Sequence, residues 1–198
     1  FNMDNKTRKL IARDNTVDPS GYMRSPVDGG LYGIVYQDGK PRVDYIDPDN
    51  EFAKLHASIQ ASLKDQAAIF TSFTKDGSMA LVVGYADNIP SDYYLFDRKK
   101  NKLDYLLSVN SWFKPEMLAT MKPIYFVARD GTPIEGYLTL PVGSDGKNMP
   151  LIVNPHGGPF GPRDLWGFNP DVQILAANGY AVLQVNFRGS GGYGRSFL

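Results

Sequence analysis

Hydrophobic and polar positions change rhythm past the middle of this 198-residue chain. Between residues 21 and 108, apolar residues come in short runs separated by turn sequences. Leu31–Tyr36, Arg42–Asp47, Ala67–Phe73, Met79–Tyr85, Asp92–Asp97 and Leu103–Ser108 are rich in Tyr, Phe, Val and Ile, as strands are, and Lys9–Ala12 reads as a strand end. Asp28-Gly29-Gly30, Asp38-Gly39, Asp47-Pro48-Asp49-Asn50, Asp76-Gly77 and Arg98–Asn101 punctuate them. Turns about every 8–12 residues mark an all-β sheet protein, whether sandwich, barrel or propeller. Two units, residues 21–63 and 65–108, align loosely with a period of about 43 residues, close to the 40–45 of a four-stranded propeller blade. Each has a hairpin with an Asp-Gly turn, although at different offsets. Residues 1–112 are therefore expected to form the last blades of an incomplete β-propeller, since so few blades cannot close a ring of typically 4–8.

From residue 113 the pattern is mixed, and it predicts the first part of an α/β-hydrolase domain, also incomplete. Ile124–Ala128 and Ile134–Leu140 alternate about the turn Arg129-Asp130-Gly131-Thr132, and Pro141 ends the second strand. Leu151-Ile152-Val153 suits a short buried strand. Asn169-Pro170-Asp171 is a helix start with a side-chain cap, a first-turn proline and an early acid. The helix runs through Ala177 and stops at Asn178-Gly179, where glycine takes positive φ without strain. Tyr180–Phe187 is a second apolar run. Strand, helix and strand make a βαβ unit that places Ile152 and Val153 beside Val182, Leu183 and Val185 on adjacent or near-adjacent parallel strands, with Val153 expected to be buried. Asn110–Met121 is the expected junction, with Trp112, Phe113 and Leu118 buried between domains.

Composition narrows the function. There are 21 basic and 21 acidic residues and no basic stripe, which favours neither nucleic acid nor a membrane surface as partner. The chain has no cysteine, so disulfides and thiolate metal sites are excluded, while the compartment stays open. Its two histidines, His56 and His156, have no HExxH or carboxylate cluster beside them, and no metal or other cofactor is expected. No apolar run approaches the ~20 residues of a membrane span. Phe1 opens in mid-pattern and Leu198 follows a glycine-rich turn, so the chain is expected to be a piece of a longer polypeptide.

The candidate chemistry lies in the loop after the Leu151–Val153 strand, His156-Gly157-Gly158-Pro159. Two successive glycines leave their amides free to approach a ligand oxygen, and Pro159 stiffens the turn. An HGGG-type loop at this place in an α/β-hydrolase supplies an oxyanion donor, and HGGP is a near relative. The plain alternative is a tight strand-to-helix turn with no ligand. Gly189-Ser190-Gly191-Gly192-Tyr193-Gly194 also fits the G-x-G-x-x-G dinucleotide fingerprint, but Arg188 precedes it and its strand is not the first of its domain.

HGGP, a helix and then NFRGSGGYG, preceded by PIYFVARDGTPIEGYLTLP, together resemble the start of the catalytic domain of the prolyl oligopeptidase family of serine peptidases. Within it, the branch of acylaminoacyl peptidases and related dipeptidyl or oligopeptidases is the most similar. The resemblance is good over residues 114–198 and one of style before that. It implies a propeller capping a hydrolase domain and acyl-enzyme hydrolysis of short peptides. Gly158 would then be an oxyanion-hole amide and Gly157 part of the same loop. His156 and Pro159 would support the loop, and Arg188 would pair with a carboxylate near the active-site mouth. No serine here has glycine two places before and after it, as the G-x-S-x-G nucleophile elbow requires, and neither histidine follows such a serine and an acid. Nucleophile, acid and base are thus expected outside these residues, and the chain alone is expected to be inactive. His156 would steady its loop by a ring hydrogen bond, and His56 would be a surface or satisfied core residue. The expected partners are a peptide substrate and the rest of the polypeptide, with a homo-oligomer left open. Two other classes stay open: a non-catalytic propeller-based binding module, and an esterase of the same fold.

Overall fold

The computed structural model describes residues 3–198, which are mostly β-sheet with few helices. Three sheets follow one another along the chain. The first is antiparallel, with strands β1 (Gly21–Arg24), β2 (Leu31–Asp38) and β3 (Lys40–Tyr45) in that order. The second is a four-stranded antiparallel meander of β4 (Ala67–Phe73), β5 (Met79–Ala86), β6 (Ile89–Asp97) and β7 (Lys102–Ser108). β2 to β7 fall where the apolar runs predict them, whereas β1 lies at Gly21–Arg24, where no run was marked. Lys9–Ala12, in contrast, forms no strand.

The helix α1 (Glu51–Ser62) corrects the all-β expectation for this half. Its signals are local. The Asn50 side chain accepts hydrogen bonds from the amides of Phe52 (2.9 Å) and Ala53 (3.3 Å), and Glu51 complements the dipole in the first turn. Phe52, His56, Ile59 and Leu63 recur at helical rather than strand spacing and all are buried. Ile59 and Leu63 pack on Ala68, Ala80, Val82 and Phe96 of the meander. The first unit therefore offers three strands and a helix where the second has four strands, which is why the two align only loosely.

The third sheet contains β8 (Met121–Val127), β9 (Pro133–Thr139), β10 (Leu151–Val153) and β11 (Ala181–Asn186), in the order β10-β11-β9-β8. β8 and β9 form the predicted hairpin. β10 and β11 run parallel, with Leu151, Ile152 and Val153 opposite Ala181, Val182 and Leu183, while β11 is antiparallel to β9. Between them lies α2 (Pro170–Ala177), capped by the Asn169 side chain on the amides of Asp171 (3.0 Å) and Val172 (3.2 Å) and followed by Gly179 at φ +89°.

Two expectations of burial fail. Val153 is 57% exposed. Strand alternation puts it with Leu151 on the face of edge strand β10 that is left exposed among the described residues, whereas Val182 opposite Ile152 is fully buried. Trp112 and Phe113 are exposed and Leu118 is half-buried, because the turn at Pro115–Met117 is a 3₁₀ segment too short to present an apolar face. The junction is secured instead by Ala119 and Met121. Gln173 of α2 accepts from the Ala119 amide (2.8 Å) and donates to the carbonyls of Ala119 (2.8 Å) and Asp87 (3.1 Å). Asp87 in turn takes the Met121 amide at 2.5 Å, and Met121 packs with Ala86, Tyr137 and Trp166.

Candidate active-site loop

β10 delivers the chain to the loop at its C-terminal end, and the Asn154 amide extends the parallel pairing by donating to Leu183 O at 2.8 Å. His156 comes next, its ring stacked on Phe187 with centroids 4.4 Å apart. Nδ1 lies 2.6 Å from Gly157 O and Nε2 lies 2.8 Å from Ser190 Oγ. A carbonyl can only accept, so Nδ1 carries the hydrogen and the neutral ring's Nε2 accepts from the Ser190 hydroxyl. Gly157 and Gly158 are exposed, and among the described residues neither amide has an acceptor. The Gly158–Pro159 peptide is cis. A Cβ on Gly157 would meet open space, and one on Gly158 would meet the Phe187 ring at an ordinary 3.7 Å. Neither glycine is demanded by crowding.

His156 and Ser190 stand as base and nucleophile do in a serine hydrolase, with a carbonyl in the place of the orienting acid. Their surroundings deny them that role. Ser190 is wholly buried, and a nucleophile must reach the substrate carbon. The pair braces two loops against each other.

Crowding is real on the other side of that brace. A Cβ on Gly189 would lie 2.5 Å from Pro159 O, and one on Gly191 would lie 2.4 Å from Gly161 O. The glycine-rich segment crosses the HGGP loop so closely that side chains cannot be interposed. Its first three amides are committed within the protein: Gly191 N donates to Gly161 O (3.1 Å), Gly189 N to Phe197 O (2.8 Å) and Ser190 N to Phe187 O (2.9 Å). They cannot cradle a phosphate, and the segment opens a three-residue 3₁₀ turn rather than an α-helix. The dinucleotide reading ends here.

Arg188 pairs with the Asp130 carboxylate in the β8–β9 turn, with Thr132 Oγ1 at 3.4 Å. The amide and hydroxyl of Thr132, then burial in opposition, then the Arg188 charge together hold the Asp130 carboxyl below the usual carboxylate range. Both partners are about half exposed, so the pair adds little stability. His56 lies elsewhere, buried, with its ring nitrogens on Tyr45 OH (2.7 Å) and Ala68 O (3.0 Å), and burial pushes its pKa down.

The sequence reading missed the polar cluster behind the glycine-rich segment. Glu135, on β9, is buried, with Oε1 accepting from the Gly39 amide (2.7 Å) and the Tyr137 hydroxyl (2.9 Å), and Oε2 from the Tyr193 hydroxyl. Burial first, and the charge and hydrogen bond of Glu135 next, push both phenols up. Asn186 donates to Tyr193 OH (2.7 Å) and Asp164 O (3.0 Å) and accepts from Asp164 N (2.8 Å). A signal was available, because Glu135 interrupts the apolar strand Ile134-Glu135-Gly136-Tyr137-Leu138. Among the described residues no group of three or more His, Cys, Asp or Glu could hold a metal ion, and no helix is long and apolar enough to cross a membrane.

This arrangement of sheets and loop has counterparts in peptidases. A solved prolyl endopeptidase matches with a TM-score of 0.66 at 16% identity, over 98% of this chain and 28% of that one. Dipeptidyl peptidase 4 of Porphyromonas gingivalis matches with a TM-score of 0.64 at 17% identity, over 100% of this chain and 28% of the other. By sequence, dipeptidyl aminopeptidase BIII of Pseudoxanthomonas mexicana is 32% identical over 203 residues, covering 96% of this chain and 28% of that protein. The model of the prolyl oligopeptidase family matches residues 166–198. By this match and these likenesses, the chain is similar to the prolyl oligopeptidase family. It spans less than a third of the length of these relatives.

Proposed function

We propose that these residues belong to a serine peptidase that hydrolyses short peptides through an acyl-enzyme, and that they contribute its oxyanion loop. In this reading residues 1–112 are the last blades of a propeller, and residues 113–198 open the α/β-hydrolase domain. The observation that carries the reading is the pair of exposed amides at Gly157 and Gly158, without acceptors among the described residues, at the C-terminal end of a parallel strand in a βαβ unit. Donors so placed stabilise the oxygen that becomes negative when serine attacks a carbonyl. Gly158 would donate, Gly157 and Pro159 would shape the loop, and His156 would hold it through Ser190. Arg188, tied to Asp130, would lie at the rim.

Nucleophile, acid and base would come from residues outside this chain, because no serine in it stands in a G-x-S-x-G elbow. The likeness to a dipeptidyl aminopeptidase makes dipeptidyl substrates the first to try. The test takes the full-length polypeptide and the 198-residue chain side by side, with a fluorophosphonate probe and a dipeptidyl naphthylamide. Labelling and turnover are expected for the former alone. An unlabelled, inactive full-length protein would favour a binding module, and turnover of simple esters without peptides would favour an esterase.

A further inference from the structure

Glu135 is a buried carboxylate with no Lys, Arg or His within ion-pair distance among the described residues. A buried charge is tolerated only where hydrogen bonds replace its water. Here its donors come from separate segments: the Gly39 amide in the β2–β3 turn, the Tyr137 hydroxyl on its own strand, and the Tyr193 hydroxyl in the glycine-rich segment. The turn approaches closely, since a Cβ on Gly39 would lie 2.8 Å from Tyr125 OH and 3.1 Å from Pro123. From Tyr193 the segment runs back to Ser190, whose hydroxyl holds His156 Nε2, and His156 Nδ1 holds Gly157 O. Each link is a hydrogen bond or a few residues of chain, in which the Ser190 and Gly191 amides are already engaged.

We propose that Glu135 is a positioning residue: through Tyr193 and Ser190 it fixes the Gly157–Gly158 amides relative to the β2–β3 turn of the first sheet. This rests on the reading of those amides as oxyanion donors. It assigns the propeller-side turn a part in transition-state geometry that a steric cap would not have.

Glu135→Gln in the full-length enzyme is the direct test, because it keeps volume and shape. The amide oxygen can still serve Gly39 and Tyr137, but the –NH₂ then faces Tyr193 and cannot accept its proton. A displaced donor should cost less than a lost one, so kcat should fall about tenfold, against the ~10²–10³ of a deleted donor, with KM unchanged. Affinity for a peptide aldehyde, whose adduct oxyanion uses the same amides, should fall by the same factor as kcat/KM, while affinity for the dipeptide product holds. Tyr193→Phe should reproduce both losses, and the double variant should be no worse than either single one. If Glu135→Gln does not fold, Tyr193→Phe carries the test, since it removes one oxygen from a half-buried ring. Unchanged kcat and aldehyde affinity, a drop in Tm alone, or losses that multiply in the double variant would each overturn the proposal. A wild-type full-length protein that neither labels nor turns over would overturn the peptidase reading as well, which separates the two failures.

Discussion

The β4–β7 meander and the β8–β11 sheet each have four strands, yet they are held together by different means. In the meander every pairing joins strands adjacent in the chain, and its buried side chains are all apolar: Ala68, Ala80, Val82, Val83, Ala86 and Phe96. In the other sheet β9 meets β11 only after β10 and α2 have intervened, and its interior admits Glu135, Thr139, Gln184 and Asn186. An apolar interior tolerates many sequences, whereas a hydrogen-bonded one fixes a single arrangement when each polar atom is answered. The candidate site grows from the second kind. The difference separates a sheet built to be stable from one built to place a loop.

The largest expected effect tests whether the polar sheet still depends on an apolar spine. Val82 and Val182 are both wholly buried, one in each sheet. Val82→Asp and Val182→Asp should each cost about 4 kcal/mol or more in urea unfolding, as an unpaired buried charge does. If Val182→Asp cost less than about 1 kcal/mol, β11 would not be core and the comparison would collapse.

Next in size is the link between the sheets. Gln173→Ala removes the side-chain bonds to Ala119 and Asp87 and leaves buried backbone groups unanswered, for about 2–3 kcal/mol. Thr139→Val should behave in the opposite way. Its hydroxyl is buried without a partner among the described residues, so the isosteric change should be neutral or stabilising. A clear loss of Tm in Thr139→Val would mean that even this hydroxyl is in use. Smaller again are the helix caps. Asn50→Ala and Asn169→Ala should each cost about 1 kcal/mol, read as a shift in urea midpoint.

Those caps also show what the sequence disclosed. Asn169-Pro170-Asp171 and Asn178-Gly179 bracket α2 almost to the residue, and the β-runs mark the meander strands, because caps, turns and two-residue alternation act over a few positions. Asn50-Glu51 carried the same kind of signal for α1, with Phe52, His56 and Ile59 at helical spacing, but strand-like surroundings on both sides masked it. The HGGP loop was legible as a motif. The grip of Ser190 on His156 was not, because 34 residues separate them and nothing local pairs a serine with a histidine. Glu135 and Tyr193 are likewise 58 residues apart, and only the fold makes one the answer to the other. Exposure of Val153 and Trp112 turned on which faces are covered, a tertiary fact that alternation alone does not carry.

The smallest effect sharpens the comparison most finely, because it asks whether every polar atom packed against the β8–β11 sheet is needed there. Asp164 is half-buried, with Oδ1 accepting from Gln184 Nε2 at 2.6 Å and Oδ2 without a partner among the described residues. Burial raises its pKa, and the hydrogen bond from Gln184 opposes that shift. A carboxyl whose folded pKa is raised binds its proton more tightly folded than unfolded. Its stabilising share is complete below the ordinary carboxylate value of about 3.9 and is lost as pH rises through the folded value. At neutral pH the charged group is therefore a small burden. Asp164→Asn keeps an acceptor for Gln184 and removes the charge, so it should raise Tm slightly at pH 7 to 8. That gain should shrink as the pH falls toward the ordinary carboxylate range. A lower Tm at pH 8 would show that the Asp164 charge is engaged in the native state and that this corner beside the β8–β11 sheet has no polar atom to spare, while a gain that persists unchanged into acid would show that the buried charge is not its source.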